Sequence, residues 1–366
     1  MTGDRRITQL VNITRWVATI ILGLIFFAAL MLNISISTGN AKLLSADFYK
    51  KHLVDTNVYA RVHNEILPEV ASSAEFYGSL RLPKQDAQEL LGQVFPVGYI
   101  QRQTENSITR FVSWFRSEAD SLDITIDLTD PKTRAKTVVA QYIAIKVDAL
   151  PQCSPGQDPG TGRAQAGELP SCIPVGMDRS AVKTLAISQV TPLLDQARGK
   201  WDVVQQAADG RGESKREFLA HFDDSRRLAK FAIGPGYILT FLAMVLAVLM
   251  IALLHVYSRK AMVRSVGYTV LICGLVVLVI ALAAQSVWPD RIHAAILAID
   301  GKTPVAALKL IADFASSASR DVAGSFVRPG VIVSGLGVFM VIVSWVVSEG
   351  KEQASSPAPK RGKAAR

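Results

Sequence analysis

The chain has 366 residues, 49% of them hydrophobic, a mean hydropathy of +0.26 and a formal charge of +9. That apolar content exceeds what a soluble core of this length buries, so the excess must face something other than water. The basic balance comes with no nucleic-acid-binding motif, which argues against a nucleic-acid partner.

Four blocks carry no Asp, Glu, Lys or Arg: residues 16–33, 237–257, 267–284 and 330–347. At ~1.5 Å of rise per residue each covers roughly 27 to 31 Å, the thickness of a hydrocarbon core, and each is expected to be a transmembrane helix. The alternative for the first block is a cleavable signal peptide, because Ser37 and Gly39 are small residues at the spacing a signal peptidase accepts. Its length exceeds a usual signal core and favours a retained helix.

The charge is unevenly divided among the segments between these blocks. Residues 1–15, 258–266 and 348–366 carry eleven Lys/Arg against three Asp/Glu, whereas residues 34–236 are balanced at 24 and 24, and residues 285–329 nearly so at 5 and 4. The positive-inside rule therefore predicts cytoplasmic termini and a cytoplasmic 258–266 loop, with 34–236 and 285–329 extracytoplasmic. Trp16, Tyr257, Tyr268 and Trp345 fall near the expected inner interface, and Tyr237 and Trp288 near the outer one. Arg226, Arg227 and Lys230 oppose this orientation, but long domains translocate largely regardless of charge.

Within residues 34–236 the apolar spacing is mainly helical. Leu44, Phe48, Val58, Val62 and Ile66 predict two abutting helices over 45–67, with Asp55 as an N-cap between them. Ile108, Phe111, Val112 and Phe115 predict a helix over 98–119. Leu122, Ile124, Ile126 and Leu128 alternate with polar residues as a strand does, and one short strand needs either a weakly signalled partner or an extended course over helices. Asp130 as N-cap with Pro131 behind it opens a helix that Pro151 ends. Residues 178–207 read as helix interrupted at Pro192, and 213–231 as an amphipathic stretch leading to the membrane.

In the second outer segment Thr303 and Pro304 start an amphipathic helix. Its apolar stripe is expected to dock on the large domain or on the membrane surface. The last membrane block carries Gly330, Ser334, Gly335 and Gly337, small residues suited to close helix contact, more economically within the chain than in a dimer. The tail 348–366 is expected to be disordered, basic and cytoplasmic, in reach of anionic inner-leaflet lipid. The fold class expected is thus mainly α: four transmembrane helices plus a helical extracytoplasmic domain with one short strand-like segment.

Cys153 and Cys172 bracket a Pro-, Gly- and Gln-rich loop, while Cys273 lies inside the third membrane block. In an oxidising space the pair would form a disulfide; the alternatives are a metal pair, for which no His is at hand, or two free thiols. Catalytic signatures are absent: there is no His-Glu-x-x-His, no Gly-x-Ser-x-Gly and no nucleotide-binding glycine pattern. His221 with Asp223 and Asp224 is the nearest approach to a metal or acid/base cluster, against a solvated helix face. Asp123, Asp127 and Asp130 lack the glycine and terminal Glu of a calcium loop. No membrane block holds the charged Asp, Glu, Lys or Arg that a transport pathway usually needs.

The run Pro96-Val97-Gly98-Tyr99-Ile100, then Ile126-Asp127-Leu128 with Lys132, then Leu150-Pro151-Gln152-Cys153 and a second Cys resembles a loose group of multi-pass bacterial envelope membrane proteins with a Cys-bracketed extracytoplasmic domain. The resemblance covers residues 45–175 and implies a similar layout and a bacterial source; it brings no activity or catalytic residues with it.

The function expected from these features is non-enzymatic, without a cofactor. The chain is read as a multi-pass plasma-membrane protein whose partners are the lipid bilayer and a protein or envelope component bound on the extracytoplasmic side. Its alternatives are a sensor or accessory subunit of a membrane complex, and an ectodomain hydrolase using His221 or the Asp123 to Asp130 group.

Overall fold

In the computed structural model long helices cover the four uncharged blocks, as far as Leu254 in the second and Val346 in the fourth, and the structure describes residues 2–71, 84–155, 157, 170–299 and 305–346. The described chain is mainly helical, with one small two-stranded sheet. Four of its helical stretches are long and apolar enough to cross a membrane, the property of a multi-pass membrane protein.

The fold begins with α1 (Thr2–Thr38), α2 (Ala46–Asp55), α3 (Val58–Arg61), α4 (Lys84–Val94) and α5 (Val97–Phe115). Strand β1 (Thr125–Asp127) leads into α6 (Thr129–Asp148), then α7 (Arg179–Gln196), β2 (Lys200–Asp202), α8 (Val203–Asp209), α9 (Lys215–Ala220) and α10 (Asp223–Phe231). Helices α11 (Tyr237–Leu254), α12 (Arg259–Leu297), α13 (Val305–Gly324) and α14 (Val327–Val346) complete it. These elements divide into two units, one of residues 1–35, 237–283 and 324–366, the other of residues 36–236 and 284–323.

The first unit holds the four apolar blocks. Phe26, Leu30 and Ile34 of α1, Ala247 and Ile251 of α11, and Val270 and Val277 of α12 form one buried cluster, while most other large apolar side chains of these helices face outward. A soluble bundle would bury that outer surface; a bilayer solvates it. The small residues decide how α12 and α14 meet. A Cβ added to Gly274 would lie 2.5 Å from the Ser334 backbone nitrogen, one on Gly330 would lie 3.1 Å from Leu278 Cα, and one on Gly337 would strike the Leu271 backbone nitrogen. Gly267 faces Met340 and Val341 in the same antiparallel register, whereas Gly335 faces open space. The small stripe therefore serves contact within the chain. Asn33, at the end of α1, donates to Thr240 Oγ1 at 2.9 Å and to the Tyr237 carbonyl at 3.3 Å.

The second unit is built on three local cores. Ile143 and Val147 of α6 pack with Ile173 and Val182 against α7. Trp114, Leu122 and Val204 form another core, with Phe218 and Phe222 against it. Phe48 and His52 of α2 are buried beside Phe314 of α13, the two rings of His52 and Phe314 meeting edge-on at 6.5 Å. The strand-like run does find a partner: β1 pairs antiparallel with β2, Ile126 opposite Trp201.

Several element boundaries differ from the sequence expectation. The break near Asp55 falls after it, because Asn57 adopts a left-handed conformation (φ 52°) and restarts the helix at Val58. The helix predicted over 98–119 ends at Phe115, and α6 starts at Thr129, where Asp127 accepts from the Thr129 N–H and hydroxyl, in place of an Asp130 cap. Pro192 does not interrupt α7; the interruption comes at the turn before β2. Helix α4 carried no sequence expectation. The predicted start at Thr303 and Pro304, most of the 154–171 loop and the basic tail lie outside the described residues.

Candidate functional site

The two cysteines come together. Cys153 and Cys172 Sγ atoms lie at bonding distance, 2.03 Å, and both residues are buried. Backbone bonds tighten the same spot: the Cys153 N–H donates to the Ile173 carbonyl and the Ile173 N–H to the Pro151 carbonyl, each at 2.9 Å. Cys172 and Ile173 have 0% exposure, so the chain leaving the disulfide is seated in the α6–α7 core.

It then turns sharply outward. Pro174 to Met177 form a tight turn closed by the Met177 N–H on the Pro174 carbonyl (3.1 Å), with Gly176 at φ +89° in the third position. Glycine is suited to that position because a side chain there would clash with the backbone. Immediately after it, Asp178 caps α7, accepting from the Ala181 N–H (2.7 Å) and the Ser180 hydroxyl (2.8 Å). The Ala181 N–H foremost, and Ser180 after it, hold the Asp178 carboxyl below the ordinary carboxylate range. Between these two anchors Val175 is 78% exposed and Met177 47% exposed. An apolar pair on a turn immobilised at both ends is preorganised for contact, since little conformational freedom remains to be lost on binding.

A second constellation joins residues 36–66 to residues 284–323. Asp321 of α13 faces Lys42 Nζ at 3.0 Å and His52 Nε2 at 3.3 Å, while His52 Nδ1 meets Ser317 Oγ at 3.1 Å. About two helical turns earlier, Asp313 accepts from Arg61 at 2.8 Å and from His293 of α12 at 3.2 Å. Each carboxylate is thus held by one permanent cation and one imidazole. Ser317, His52 and Asp321 stand in the order that activates a hydroxyl. Ser317 is mid-helix, however, where the neighbouring backbone N–H groups are committed to the helical ladder and cannot form an oxyanion hole. His52 is also buried, at 3% exposure. The series works as a polar clamp between segments far apart in sequence. Only the apolar stripe of residues 289–328 hinted at it, because Lys42, His52 and Arg61 lie some 250 to 280 residues from the carboxylates they meet.

The other sequence candidates are not gathered into a site. His221 pairs with Glu213 at 3.2 Å, while Asp223 and Asp224 reach Arg226 and Arg227 at 3.9 and 4.0 Å on an exposed helix face. Asp123 accepts from the Thr125 hydroxyl and Asp127 from Thr129, which are local turn and cap roles. Among the described residues no cluster of three or more His, Cys, Asp or Glu could hold a metal ion. Compared with known protein families, curated proteins and solved structures, the chain matches none.

Proposed function

We propose that this chain is a multi-pass membrane protein whose unit of residues 36–236 and 284–323 faces the non-cytoplasmic side and binds another protein or envelope component there, without catalysing a reaction. The observation that carries the binding role is the anchored turn, with Val175 78% exposed two residues after the fully buried Ile173. Its partner presents an apolar pocket for Val175 and Met177. Sidedness is supported by the charge division along the chain and by a cysteine pair of the kind that persists in oxidising compartments. Retention of the first span is supported by Phe26, Leu30 and Ile34, which share a core with α11 and α12.

The test is photo-crosslinking in native membranes with a photoreactive residue at position 175, and at position 224, whose side chain is fully exposed, as control. Position 175 should give a discrete adduct that is lost in Met177→Asp. Adducts of equal yield from both positions would remove it. A fluorescent-protein fusion at the carboxyl end, which matures only in the cytoplasm, tests sidedness separately.

A further inference from the structure

A groove of about 770 Å³ runs between α1 and α12 within the apolar-helix unit. The two helices run parallel here, since Arg15 lies over Tyr257, just before α12 begins, and Gly23, two turns further along α1, faces Thr269 and Cys273. Its walls are two apolar stripes at helical spacing, Ile20, Leu24 and Phe27 from α1 and Tyr268, Ile272 and Val276 from α12. The end of the groove at the start of α12 has a different chemistry. Arg264, Ser265 and His255 line it, and Arg15 lies close by over the Tyr257 ring, 5.5 Å from its centroid. Arg264 lies over the Tyr268 ring at 5.4 Å. Among the described residues neither Arg15 nor Arg264 has a carboxylate within ion-pair distance.

A long apolar trough with the Arg264 guanidinium in its lining, and Arg15 next in the chain to the lining residue Trp16, is complementary to an amphiphile with an anionic head. We propose that this groove binds an anionic phospholipid, an acyl chain lying along the α1–α12 trough and the phosphate between Arg264 and Arg15. A soluble anion would use the cationic end and leave the trough in contact with bulk lipid. A neutral lipid or a partner helix of apolar residues would use the trough and offer the guanidinium groups no anion. Arg264 precedes the uncharged block 267–284 by three residues, the depth at which headgroup phosphates sit beside interfacial Trp and Tyr. The lining belongs to α1, α12 and the turn at His255, and the proposal rests on membrane spanning alone, independent of which side the large unit faces.

The experiment is native mass spectrometry of the full-length protein, delipidated in detergent and then titrated with phosphatidylglycerol or phosphatidylcholine of the same chain length. Wild type should retain phosphatidylglycerol preferentially. Arg264→Gln should lower that preference about fivefold, the factor one basic residue contributes at an anionic surface, and Arg264→Lys should largely restore it. Ile272→Trp, which fills the trough, should reduce retention of both lipids. Because the tail is intact in every variant, binding there leaves these differences untouched. Equal retention of the two lipids by wild type, or a preference unchanged in Arg264→Gln, would overturn the proposal. So would equal competition by glycerol 3-phosphate, which lacks acyl chains, or a photoreactive residue at position 20 that crosslinks to protein and not to lipid.

Discussion

The guanidinium of Arg226 lies 4.4 Å from the centroid of the Trp114 ring, and its Nε donates to the Trp114 backbone carbonyl at 3.1 Å. Arg226 is one of the three basic residues that oppose the orientation expected from charge, and this contact gives it a packing role on a ring that is only 2% exposed. Arg226→Ala should destabilise the unit by about 1 to 3 kcal/mol, from loss of the cation–π contact and the charged hydrogen bond. Trp114 fluorescence should shift as its face opens to water. Arg226→Lys keeps the charge and the topology but loses the planar stacking, so it should recover only part of the stability.

Close approach of α12 and α14 can be tested with an internal control. Gly337→Ala and Gly274→Ala drive a methyl group into the facing backbone, whereas Gly335→Ala meets nothing within 4 Å. The first two should lower thermal stability in detergent, by about 1 to 3 kcal/mol each where the helices are forced apart. Gly335→Ala should leave the melting curve in place. Equal behaviour of Gly335 and Gly337 variants would exclude the observed register.

The polar clamp predicts a coupling between distant segments. Asp321→Asn should speed hydrogen exchange in α13, and a double-mutant cycle with Lys42→Met should return about 0.5 to 1 kcal/mol of interaction. The modest size reflects partial exposure, with side chains 30% and 32% accessible. No coupling in the cycle would show that α13 is held by its apolar face alone.

Asp86 accepts from Lys146 at 2.8 Å and from the Tyr142 hydroxyl at 2.6 Å. The Lys146 bond first, and the Tyr142 bond after it, hold its carboxyl below the ordinary value of about 3.9. A depressed folded-state pKa contributes stability above the unfolded value that is lost as pH falls through the folded one. Wild type should therefore lose more stability than Asp86→Asn does between neutral pH and the acid side of about 3.9. Parallel acid-denaturation curves would rule this out.

The cysteine pair makes a chemical prediction in cells. After denaturation without reductant, a maleimide mass tag should modify one of the three cysteines, Cys273, and all three after reduction. Cys153→Ser should cost on the order of 3 kcal/mol in the chain-entropy model, given the 19-residue separation. Tagging of all three without reductant would show an unoxidised pair.

The uncharged blocks, the amphipathic helices and the cysteine spacing were readable from the chain because each is a local property: lipid compatibility is set by some twenty consecutive residues, and helical periodicity by the next turn. Element ends were less readable, since Asn57 in a left-handed conformation and Asp127 as the side chain bonding Thr129 override the nearer signals at Asp55 and Asp130. Pro192 likewise sits inside a helix that its packing against α6 keeps intact. What only the tertiary structure decided are the pairings that close across long loops. The partner of β1 lies in a three-residue strand with weak pattern, and Lys42, His52 and Arg61 find their carboxylates on α13. The same holds for the turn at Val175, whose exposure follows from the burial of Ile173 beneath it. Such contacts depend on which surfaces meet once the chain has folded, and no sequence window of a few turns contains both partners.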